Sequence, residues 1–519
     1  MKFEIVIVGG GFAGAYCART LVRELGHGCE ARVAIVSEDN VLTFQPMLPE
    51  VAGSSLSPFD VVNPLRDFCR GVNVLRGTVR AVDWQKKTVS LDAGRFTPDH
   101  TIEFEHLVLA MGSIVDFSQV PGMAQHGLPM KTVAHALRLR SAVINRLEEA
   151  NLTDDPVARR KLLTFVVVGG GYTGVETAGQ LLDFLHNVQP LYSNLRGEKI
   201  RMILVHSRAH LLAEIGEELG DYAQRVLERR GMEMILNTRV VEVDVDEAVL
   251  SNGTTIETHT VISTVGNSTH PVIVDLCKQL GVALVKGRLP TEPAMRVTGQ
   301  TNLWAAGDCA AVPWSGDFSP PTAQFALRQG VQLAHNVARV LRGEAPRPFT
   351  HKNLGQLATV GERAAVAEMF GYRFSGFIAW FMWRTIYLAK LPGLSRKLRV
   401  MVDWTFELFF PRDVSLLVPP PEEPLQPVHY RKDESLFTVG THARSFIAVQ
   451  RGNIRVQQDG QPAREFGPGE MLDSELQDST GSWTCAAIAT EPTDVLIVRG
   501  AALALFQKTR SRVTEAPLK

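Results

Sequence analysis

Residues 3–14, FEIVIVGGGFAG, and residues 163–174, LTFVVVGGGYTG, carry one pattern at two places in the chain. Each stretch opens with an apolar run rich in β-branched residues, as expected for a buried strand. A glycine-rich turn and a helical pattern follow. This succession of strand, turn and helix begins a dinucleotide-binding βαβ unit. The two copies therefore predict an α/β fold with two Rossmann-like dinucleotide-binding domains.

The glycines in both copies follow the spacing G-x-G-x-x-G. The first glycine makes a tight turn, the second lets the backbone approach a pyrophosphate, and the third lets helix and strand pack closely. The helix N-terminus then directs unpaired N–H groups at the phosphates. One such motif is weak evidence, because glycine turns also occur for backbone reasons alone. Two copies in the same context predict two bound dinucleotides, at Gly9, Gly11 and Gly14 and at Gly169, Gly171 and Gly174.

The residues after the second strand of each unit face the adenosine ribose and distinguish between dinucleotides. The first unit continues VSED, and Glu38 is the candidate acceptor for the ribose hydroxyls, unless it is a solvated turn acid. The second unit continues VHSR and has no acid there. His206 and Arg208 favour a ribose 2′-phosphate, so we expect NADPH to be accepted at least as well as NADH. The alternative is that Arg208 is only a surface charge.

The organisation of the chain follows from where these patterns recur. Residues 301–308, TNLWAAGD, return to a strand and a turn, so the chain re-enters the first domain and the second domain is an insertion. A proline-rich stretch then marks a stiff linker, and short alternating strands with glycine turns come after it. The predicted domains are 1–125 with 290–365, 126–289, an amphipathic helical membrane-binding segment 366–418, a linker 419–427, and an all-β roll 428–519.

Length, charge and cysteine content limit the classes of function. A chain of 519 residues is long enough for about three or four domains. The formal net charge of -1 provides no overall positive field, so we expect no nucleic-acid partner. The six cysteines include no C-x-x-C pair, and we expect no metal. The first residues lack a signal peptide pattern, and scattered cysteines suit a reducing compartment. Together with the membrane-binding segment, this predicts a peripheral location at the cytoplasmic face of the membrane.

Together these motifs resemble the type II NADH dehydrogenases, the single-subunit NADH:quinone oxidoreductases among the two-dinucleotide-binding flavoproteins. The matching pieces, in family order, are residues 9–14, 44–48 (FQPML), 109–112 (LAMG), 169–176, 305–310 (AAGDCA), 321–324 (PTAQ) and 376–380 (GFIAW). The resemblance implies an enzyme that passes electrons from NADH or NADPH through FAD to a membrane quinone.

The resemblance also implies roles for individual residues. Asp308 would accept hydrogen bonds from the FAD ribityl chain, unless it caps a helix, and Val79 would hold the adenine through its backbone. The residues implied to bind FAD are Gly9, Gly11, Gly14, Glu38, Val79, Ala110, Asp308 and Ala323. The residues implied to bind NAD(P)H are Gly169, Gly171, Gly174, Glu176, His206, Arg208 and Gly266.

Glu176 and Gln324 are the candidate catalytic residues. In the family, the glutamate at the position of Glu176 lies near the nicotinamide and the isoalloxazine. A carboxylate there can position the nicotinamide or transfer a proton to the quinone. The alternative is a first-turn acid favoured by the helix dipole. Gln324 belongs to the family's quinone motif, A-Q-x-A-x-Q, which departs here at Arg328. A cation there would stabilise a reduced anion or indicate a different acceptor. A flavoenzyme with a non-quinone acceptor and a redox-sensing regulatory protein therefore stay open.

The cysteines bear on two related families. Disulfide reductases need a cysteine pair beside the flavin, and this chain has no close pair. Sulfide:quinone oxidoreductases also use cysteines. The absence of a close pair argues against that family too, although sequence alone does not exclude a role for Cys277 and Cys309.

The segment 366–418 has the features of a membrane-surface anchor. The uncharged, aromatic-rich residues 374–383 are too short to span a bilayer. The helix that follows is amphipathic, with Arg396, Arg399, Asp403 and Glu407 on one side and Leu398, Val402, Thr405 and Phe409 on the other. Together with Trp380, Trp383 and Trp404, this predicts a helix lying on an anionic membrane. Packing onto the flavin domain or in a homodimer is the alternative.

Residues from about 428 to 510 resemble, more weakly, a cyclic nucleotide-binding β-roll. The resemblance rests on FIAV at 446–449 before an Arg-Gly turn and on FGPGEM at 466–471. In that family a glutamate and an arginine hold the cyclic phosphate, and the stretch GSWTC at 481–485 lacks the arginine. We therefore predict no cyclic nucleotide binding, and a structural, dimerising or partner-binding role.

Overall fold

The computed structural model describes residues 1–94, 97, 99–352, 355–361, 363–407, 409–416, 425–440, 445–458, 460–473, 476 and 482–499. Contacts divide the chain into a larger unit, residues 3–75 and 104–417, and a smaller unit, residues 1–2, 76–103 and 418–519. Most of the predicted linker and Gly481 of the cassette lie outside the described residues.

The first α/β region contains a sheet whose inner strands are apolar on both faces. The strands of this region are β1 (Lys2–Val8), β2 (Val33–Ser37), β3 (Val41–Thr43), β4 (Val62–Pro64), β5 (Asn73–Arg76), β6 (Thr78–Asp83), β7 (Thr88–Asp92), β8 (His100–Leu109) and β9 (Ile114–Val115). Of these, β3, β4 and β9 are outside the main sheet. Its helices are α1 (Phe12–Leu25), α2 (Cys29–Arg32), α3 (Leu48–Ala52), α4 (Leu65–Phe68) and α5 (Met123–His126). β1 and β2 pair in parallel from Ile5↔Val33 to Val8↔Val36, and these residues are buried, as expected of a sheet covered on both faces.

The second α/β region repeats this arrangement. Its strands are β10 (Gly127–Pro129), β11 (Thr164–Val168), β12 (Arg201–Val205), β13 (Met232–Ile235), β14 (Val240–Val243), β15 (Glu247–Leu250), β16 (Thr255–Glu257), β17 (Thr260–Ser263) and β18 (Asn267–Ser268). Its helices are α6 (Val133–Leu152), α7 (Pro156–Leu162), α8 (Tyr172–Val188), α9 (Glu217–Arg229) and α10 (Pro271–Leu280). The main sheet has the order β10-β17-β11-β12-β13 and is parallel, and β14-β15-β16 form a separate antiparallel sheet.

The chain then returns to the first sheet and adds three helices. The strands are β19 (Leu289–Pro290), β20 (Leu303–Ala305), β21 (Ala310–Ala311), β22 (Pro313–Trp314), β23 (Asp317–Phe318), β24 (Gly355–Gly361), β25 (Ala364–Met369) and β26 (Tyr372–Ser375). The helices are α11 (Ala323–Leu341), α12 (Gly376–Lys390) and α13 (Leu394–Phe406). β20 pairs in parallel with β8, from Leu303↔Leu107 to Ala305↔Leu109, which confirms that the second Rossmann-like domain is inserted in the first.

The C-terminal part of the smaller unit is all-β. Its strands are β27 (Leu425–Tyr430), β28 (Ser435–Phe437), β29 (Ser445–Arg451), β30 (Ile454–Gln457), β31 (Arg464–Phe466), β32 (Met471–Leu472), β33 (Ala486–Ala489) and β34 (Thr493–Arg499). They form two four-stranded sheets with the orders β27-β34-β29-β32 and β28-β33-β30-β31. Residues of both sheets make up one hydrophobic core, in which Phe437 stacks on Trp483 with ring centroids 4.0 Å apart. The predicted all-β roll is confirmed.

A transmembrane helix must be long and apolar. None of the helices in the described part of the chain is both long enough and apolar enough to cross a bilayer.

Candidate functional site

The first glycine turn joins β1 to α1, and steric contacts require glycine at two of its positions. Gly9 has a φ of 113°, and a Cβ there would lie 2.1 Å from the carbonyl oxygen of Ala110. A Cβ on Gly14 would lie 1.9 Å from the carbonyl oxygen of Gly9. Gly11 differs, because nothing lies within 4 Å of its Cβ position. The turn is therefore tightly packed on the protein side and open at its middle glycine.

The second glycine turn, between β11 and α8, has the same geometry. Gly169 has a φ of 113°, and a Cβ on Gly174 would lie 1.9 Å from the carbonyl oxygen of Gly169. The Cβ position of Gly171 again has nothing within 4 Å. A similar local sequence therefore gives the same open turn twice.

Both helices begin without a capping side chain. The residues before α1 and α8 are Gly11 and Gly171, and neither helix has a side-chain cap or an acidic residue in its first turn. The first N–H groups of a helix have no partners within the helix, and the helix dipole makes this end attract anions. The residues therefore fit two pyrophosphates, one at each open turn.

The predicted ribose residues follow the second strands, as expected. Glu38 is exposed and comes directly after β2. Val79 is buried in β6 of the smaller unit, and its contact with adenine stays a prediction. Ala110 follows β8, and its N–H donates to the carbonyl oxygen of Val8 at 2.8 Å. Ala323 is the first residue of α11.

Asp308 lies in a 3-10 turn, Gly307–Cys309, directly after β20, and does not precede a helix as a capping residue would. Burial raises the pKa of Asp308, and the charges of Lys131 and Arg288 oppose that rise. Lys131 Nζ donates to Ser113 Oγ at 2.6 Å and to Asn267 Oδ1 at 2.8 Å. Lys131 therefore links Ser113, which precedes the inserted domain, to Asn267 within that domain, and its charge acts on the carboxyl group of Asp308.

Gln329 also supports this turn. Its side-chain oxygen accepts from the N–H of Gly307 at 2.8 Å, and its side-chain nitrogen donates to Ser319 Oγ at 2.7 Å. Sequence analysis did not identify Lys131 or Gln329, because nothing local in the chain indicates their partners.

The two basic candidates of the second domain have different surroundings. His206 Nδ1 accepts from the N–H of Gly170 at 3.0 Å, and burial lowers the pKa of His206. His206 is therefore neutral and supports the glycine turn. Arg208 is exposed and is the remaining candidate for a phosphate. Gly266 has a φ of 85° next to β18, where its carbonyl oxygen accepts from the N–H of Asp116.

Glu176 is buried in α8. Its Oε1 accepts from the N–H of Thr359 at 3.2 Å, and burial raises the pKa of Glu176 to about 8. A buried, protonated side chain does not behave as a solvated first-turn acid, which was the alternative. The carboxyl group can instead donate a proton at neutral pH.

Gln324 lies in a cluster of basic residues. Its side-chain nitrogen is 3.5 Å from His351 Nε2, and Arg328 Nη1 donates to its carbonyl oxygen at 3.0 Å. Burial and the charges of Arg328 and Lys390 lower the pKa of His351. Neither Arg328 nor Lys390 forms an ion pair with any acid among the described residues. The cluster is therefore suited to a group that carries or develops negative charge.

The cysteines do not provide a redox centre. All six are free and buried. Burial raises the pKa of Cys309 to about 11 and also raises the pKa of Cys277. Both thiols are protonated at neutral pH and unreactive, because the thiolate is the nucleophile.

Comparisons with known proteins agree with this geometry. Residues 3–330 match the pyridine nucleotide-disulphide oxidoreductase family, residues 353–413 match the NDH2 C-terminal domain, and residues 427–509 match the cyclic nucleotide-binding domain. The type II NADH:quinone oxidoreductase Ndh of Mycobacterium tuberculosis is 31% identical over 416 residues, which cover 78% of this chain and 88% of that protein.

Two further comparisons extend the match. The internal alternative NAD(P)H-ubiquinone oxidoreductase A1 of Solanum tuberosum mitochondria is 27% identical over 450 residues, covering 80% of this chain and 88% of that protein. The solved structure of Plasmodium falciparum NDH2 with NADH superposes with a TM-score of 0.74 at 18% identity, covering 80% of this chain and all of that one. That structure has the same fold. The chain therefore belongs to the type II NADH:quinone oxidoreductase family, within the pyridine nucleotide-disulphide oxidoreductases.

Proposed function

We propose that this protein is an FAD-dependent NAD(P)H dehydrogenase that passes electrons to a membrane quinone. The observation that carries the proposal is the pair of open, uncapped glycine turns in one unit, at Gly11 and Gly171. In this proposal residues 1–125 and 290–365 bind FAD, and residues 126–289 bind NAD(P)H. The family membership and the relatives' names support the same activity.

The protein's own residues bind and orient the reactants. When bound, FAD supplies the two-electron carrier between the nicotinamide and the quinone. The glycine turns hold the pyrophosphates, and Asp308 holds the ribityl chain. Glu176 keeps a proton at neutral pH close to the nicotinamide side of the site, so it can protonate a quinone oxygen during reduction.

The acceptor site is placed at the basic cluster of Gln324, Arg328, His351 and Lys390. Reduction places negative charge on a quinone oxygen before protonation, and fixed positive groups stabilise that charge. Arg328 replaces the last glutamine of the family motif and adds to this effect. A non-quinone acceptor with a permanent negative charge would use the same groups, so the choice of acceptor is decided by experiment.

Turnover with purified protein tests the function. We expect a yellow preparation that NADH bleaches and that a soluble quinone analogue recolours, with fast steady-state quinone reduction. Bleaching without quinone reduction would indicate another acceptor. Negligible turnover would indicate a redox sensor, and a preparation that stays colourless after incubation with FAD would reject the proposal.

Arg208 is predicted to favour NADPH. Its exposed guanidinium follows β12, where the adenosine ribose of a bound dinucleotide lies. Replacing it by glutamate, Arg208→Glu, should lower kcat/KM for NADPH about tenfold or more, since one lost charge-assisted phosphate contact is worth roughly 1.5–3 kcal/mol. The value for NADH should change little. The measurement is steady-state kinetics with both dinucleotides.

A matched control separates this effect from a general change of charge. Arg160 is an exposed arginine of α7. Because α7 precedes β11, Arg160 lies at the N-terminal end of that strand, opposite the end at which the glycine turn begins. Arg160→Glu should leave the ratio of the two kcat/KM values unchanged. A wild-type enzyme with a large preference for NADH would reject the role of Arg208.

The membrane contact is proposed to be made by the apolar faces of α12 and α13. The exposed large apolar residues there are Phe377, Ile378, Phe381, Leu394, Leu398, Met401, Val402 and Phe406, followed by Phe409 and Phe410. The polar side faces the protein, where Arg399 lies 3.8 Å from Asp60. Trp383 and Trp404 are buried against each other and are therefore not part of this apolar surface. The free cysteines suit the cytoplasmic face.

Replacing three of these residues should release the protein from membranes. Phe377→Ser, Ile378→Ser and Phe381→Ser together remove much of the exposed apolar surface of α12, and burial of such surface drives interfacial binding. We expect the wild type to sediment with anionic phospholipid vesicles and the triple variant to stay in the supernatant. Leu152→Ser changes an apolar side chain on α6 that is 80% exposed and should not alter sedimentation.

The same surface has one alternative occupant, a second copy of the chain. A wild type that is soluble without detergent, does not bind vesicles and forms a dimer that the triple variant abolishes would favour the homodimer and contradict the membrane contact.

The β-roll is predicted not to bind cyclic nucleotides. Its core includes Trp483 stacked on Phe437, and both side chains are buried. The stretch 481–485 has no arginine to pair with a cyclic phosphate. Isothermal titration calorimetry with cAMP and cGMP should show no binding at micromolar concentrations. A measurable micromolar Kd would contradict the prediction.

A further inference from the structure

A second buried carboxyl group lies close to Glu176 and has no role in the function described so far. Glu50 is in the short helix α3, which packs against α8, and only 3% of the residue is exposed. Its Oε2 is buried and lacks a hydrogen bond of ordinary geometry, and the indole of Trp404 is a donor that interacts with the carboxyl group. A buried carboxyl oxygen without such a hydrogen bond costs free energy, so such groups often indicate function.

Glu50 and Glu176 interact with each other. The charge of Glu50 raises the pKa of Glu176, and burial raises the pKa of both groups to about 8. At neutral pH both carboxyls are therefore protonated, and either can donate a proton. Because the two acids interact, they titrate as a pair, and a proton lost by one can be replaced from the other.

Charged groups from other elements also act on the carboxyl group of Glu50. These groups are Arg384 of α12 and Glu407 and Arg412, which follow α13, and Trp404 of α13 lies beside them. Arg412 Nη2 lies 2.5 Å from Glu407 Oε1, and Arg384 Nη2 lies 3.2 Å from Glu407 Oε2. Within the larger unit, Glu407 is therefore held between two arginines beside the buried acid.

This network reaches an open pocket. The pocket has a volume of about 570 Å³ and is lined by Asp183, His186, Asn187, Arg229, Arg230, Glu407 and Arg412. Asp183 pairs with Arg230 and lies 3.8 Å from Arg412. Glu407 and Arg412 thus contact both the pocket and the surroundings of Glu50. Arg412 Nη1 also donates to the main-chain oxygens of Gly53, which follows α3, and of Gln180 in α8, at 2.9 and 3.0 Å, so the pocket wall packs against the two helices that carry Glu50 and Glu176.

We propose that Glu50 reloads Glu176 with a proton taken from the pocket beside Glu407 and Arg412. Glu50 does not touch the reacting atoms. It acts only through Glu176, so it is a positioning residue and not a catalytic one. The inference rests on the proposed quinone reduction, which needs protons as well as electrons.

The steps balance as follows. NAD(P)H gives up two electrons and one hydrogen, and these provide the two electrons and one of the two O–H hydrogens of the quinol. The O–H bond of Glu176 breaks as the second O–H bond forms on the other quinone oxygen. The Glu176 carboxylate then takes the proton of Glu50, and Glu50 takes one from water in the pocket. Each turnover consumes NAD(P)H, one solvent proton and one quinone, and yields NAD(P)⁺ and quinol.

Glu50→Gln tests the relay, because glutamine keeps the shape and cannot transfer the proton. We expect the rate of flavin bleaching by NADH to stay unchanged, while kcat for quinone reduction falls about tenfold or more. In the wild type, kcat should decline as the pH rises through about 8, because both carboxyls lose their protons. In Glu50→Gln the low kcat should decline from a lower pH than in the wild type, because the charge of Glu50 no longer raises the pKa of Glu176, and a purely structural defect would not cause this shift.

Two further variants keep the outcome decisive. Glu50→Asp retains a carboxyl group and should recover part of kcat and return the alkaline decline toward its wild-type pH. It also decides the matter if Glu50→Gln does not retain FAD. Asp60→Asn is the matched control, since Asp60 is a buried acid of the same region that faces Arg399 and Asp403 and should behave as the wild type.

The possible failures are distinguishable. A wild type that does not reduce quinones would reject the proposed function. A wild type that does, together with a Glu50→Gln enzyme of equal kcat and equal pH profile, would reject the relay alone.

Discussion

Replacing Gly11 by glutamate is expected to give a folded, colourless protein without NADH-dependent quinone reduction. The reason is local. Gly11 has a φ of -73°, which any L residue adopts, and its Cβ position has nothing within 4 Å. The new side chain therefore fits without strain, but it places a carboxylate in the space where the N-terminus of α1 would meet a pyrophosphate. Two like charges at this distance cost several kcal/mol, so FAD affinity should fall at least about 100-fold.

Absorbance and circular dichroism measure the two parts of this expectation. The ratio of absorbance at flavin and protein wavelengths gives the FAD content, and circular dichroism shows whether the fold is kept. Gly14→Ala is the informative comparison, since its Cβ would lie 1.9 Å from the carbonyl oxygen of Gly9 and should disturb folding as well. A yellow Gly11→Glu protein with a full complement of FAD would show that the pyrophosphate lies elsewhere.

The glycine turns could be predicted from sequence because their determinants are local. A strand, a turn and a helix follow one another within about a dozen residues. The positive φ of Gly9 and the close approach of Gly14 to the carbonyl oxygen of Gly9 select glycine within that stretch. The return of the chain to the first sheet was also predictable, since the stretch around Trp304 repeats the strand pattern. The structure confirms both, together with the all-β C-terminal sheets.

The supporting residues of the site could not be predicted, because their partners are distant in the chain. Glu50 lies near Glu176 and Glu407 only after α3, α8 and the segment after α13 have packed together. The hydrogen bond from Gly307 to Gln329 likewise has no signature in the spacing of the two residues. Sequence patterns report the face of one element, whereas these sites are made where several elements meet.

The amphipathic segment shows a different limit. The pattern correctly separated a polar side from an apolar side in α13, and the apolar Leu398 and Val402 are exposed. It could not show which aromatic residues point inward. Trp383 and Trp404 are buried next to the charged groups around Arg384, whose guanidinium lies 4.5 Å from the ring centre of Trp404. Composition alone would place all three tryptophans at the membrane.

Gly171→Glu is the counterpart of the first substitution, but this variant should keep its yellow colour. Its φ of -78° and its empty Cβ position match those of Gly11, so the variant should fold. The carboxylate would occupy the pyrophosphate position at α8 and leave the turn at α1 untouched. We expect full FAD content and a KM for NADH and NADPH raised at least about 100-fold.

Dithionite separates loss of the dinucleotide from loss of electron transfer in Gly171→Glu. It should bleach the bound flavin, and added quinone should recolour it at the wild-type rate, since the acceptor residues around Gln324 are unchanged. NADH at concentrations that saturate the wild type should leave the flavin oxidised. The two glutamate variants then divide the reaction between two sites, because one loses the flavin and the other loses its reductant. If Gly171→Glu were bleached by NADH as readily as the wild type, the second turn would not be the nicotinamide dinucleotide site, and the inserted domain would need another role.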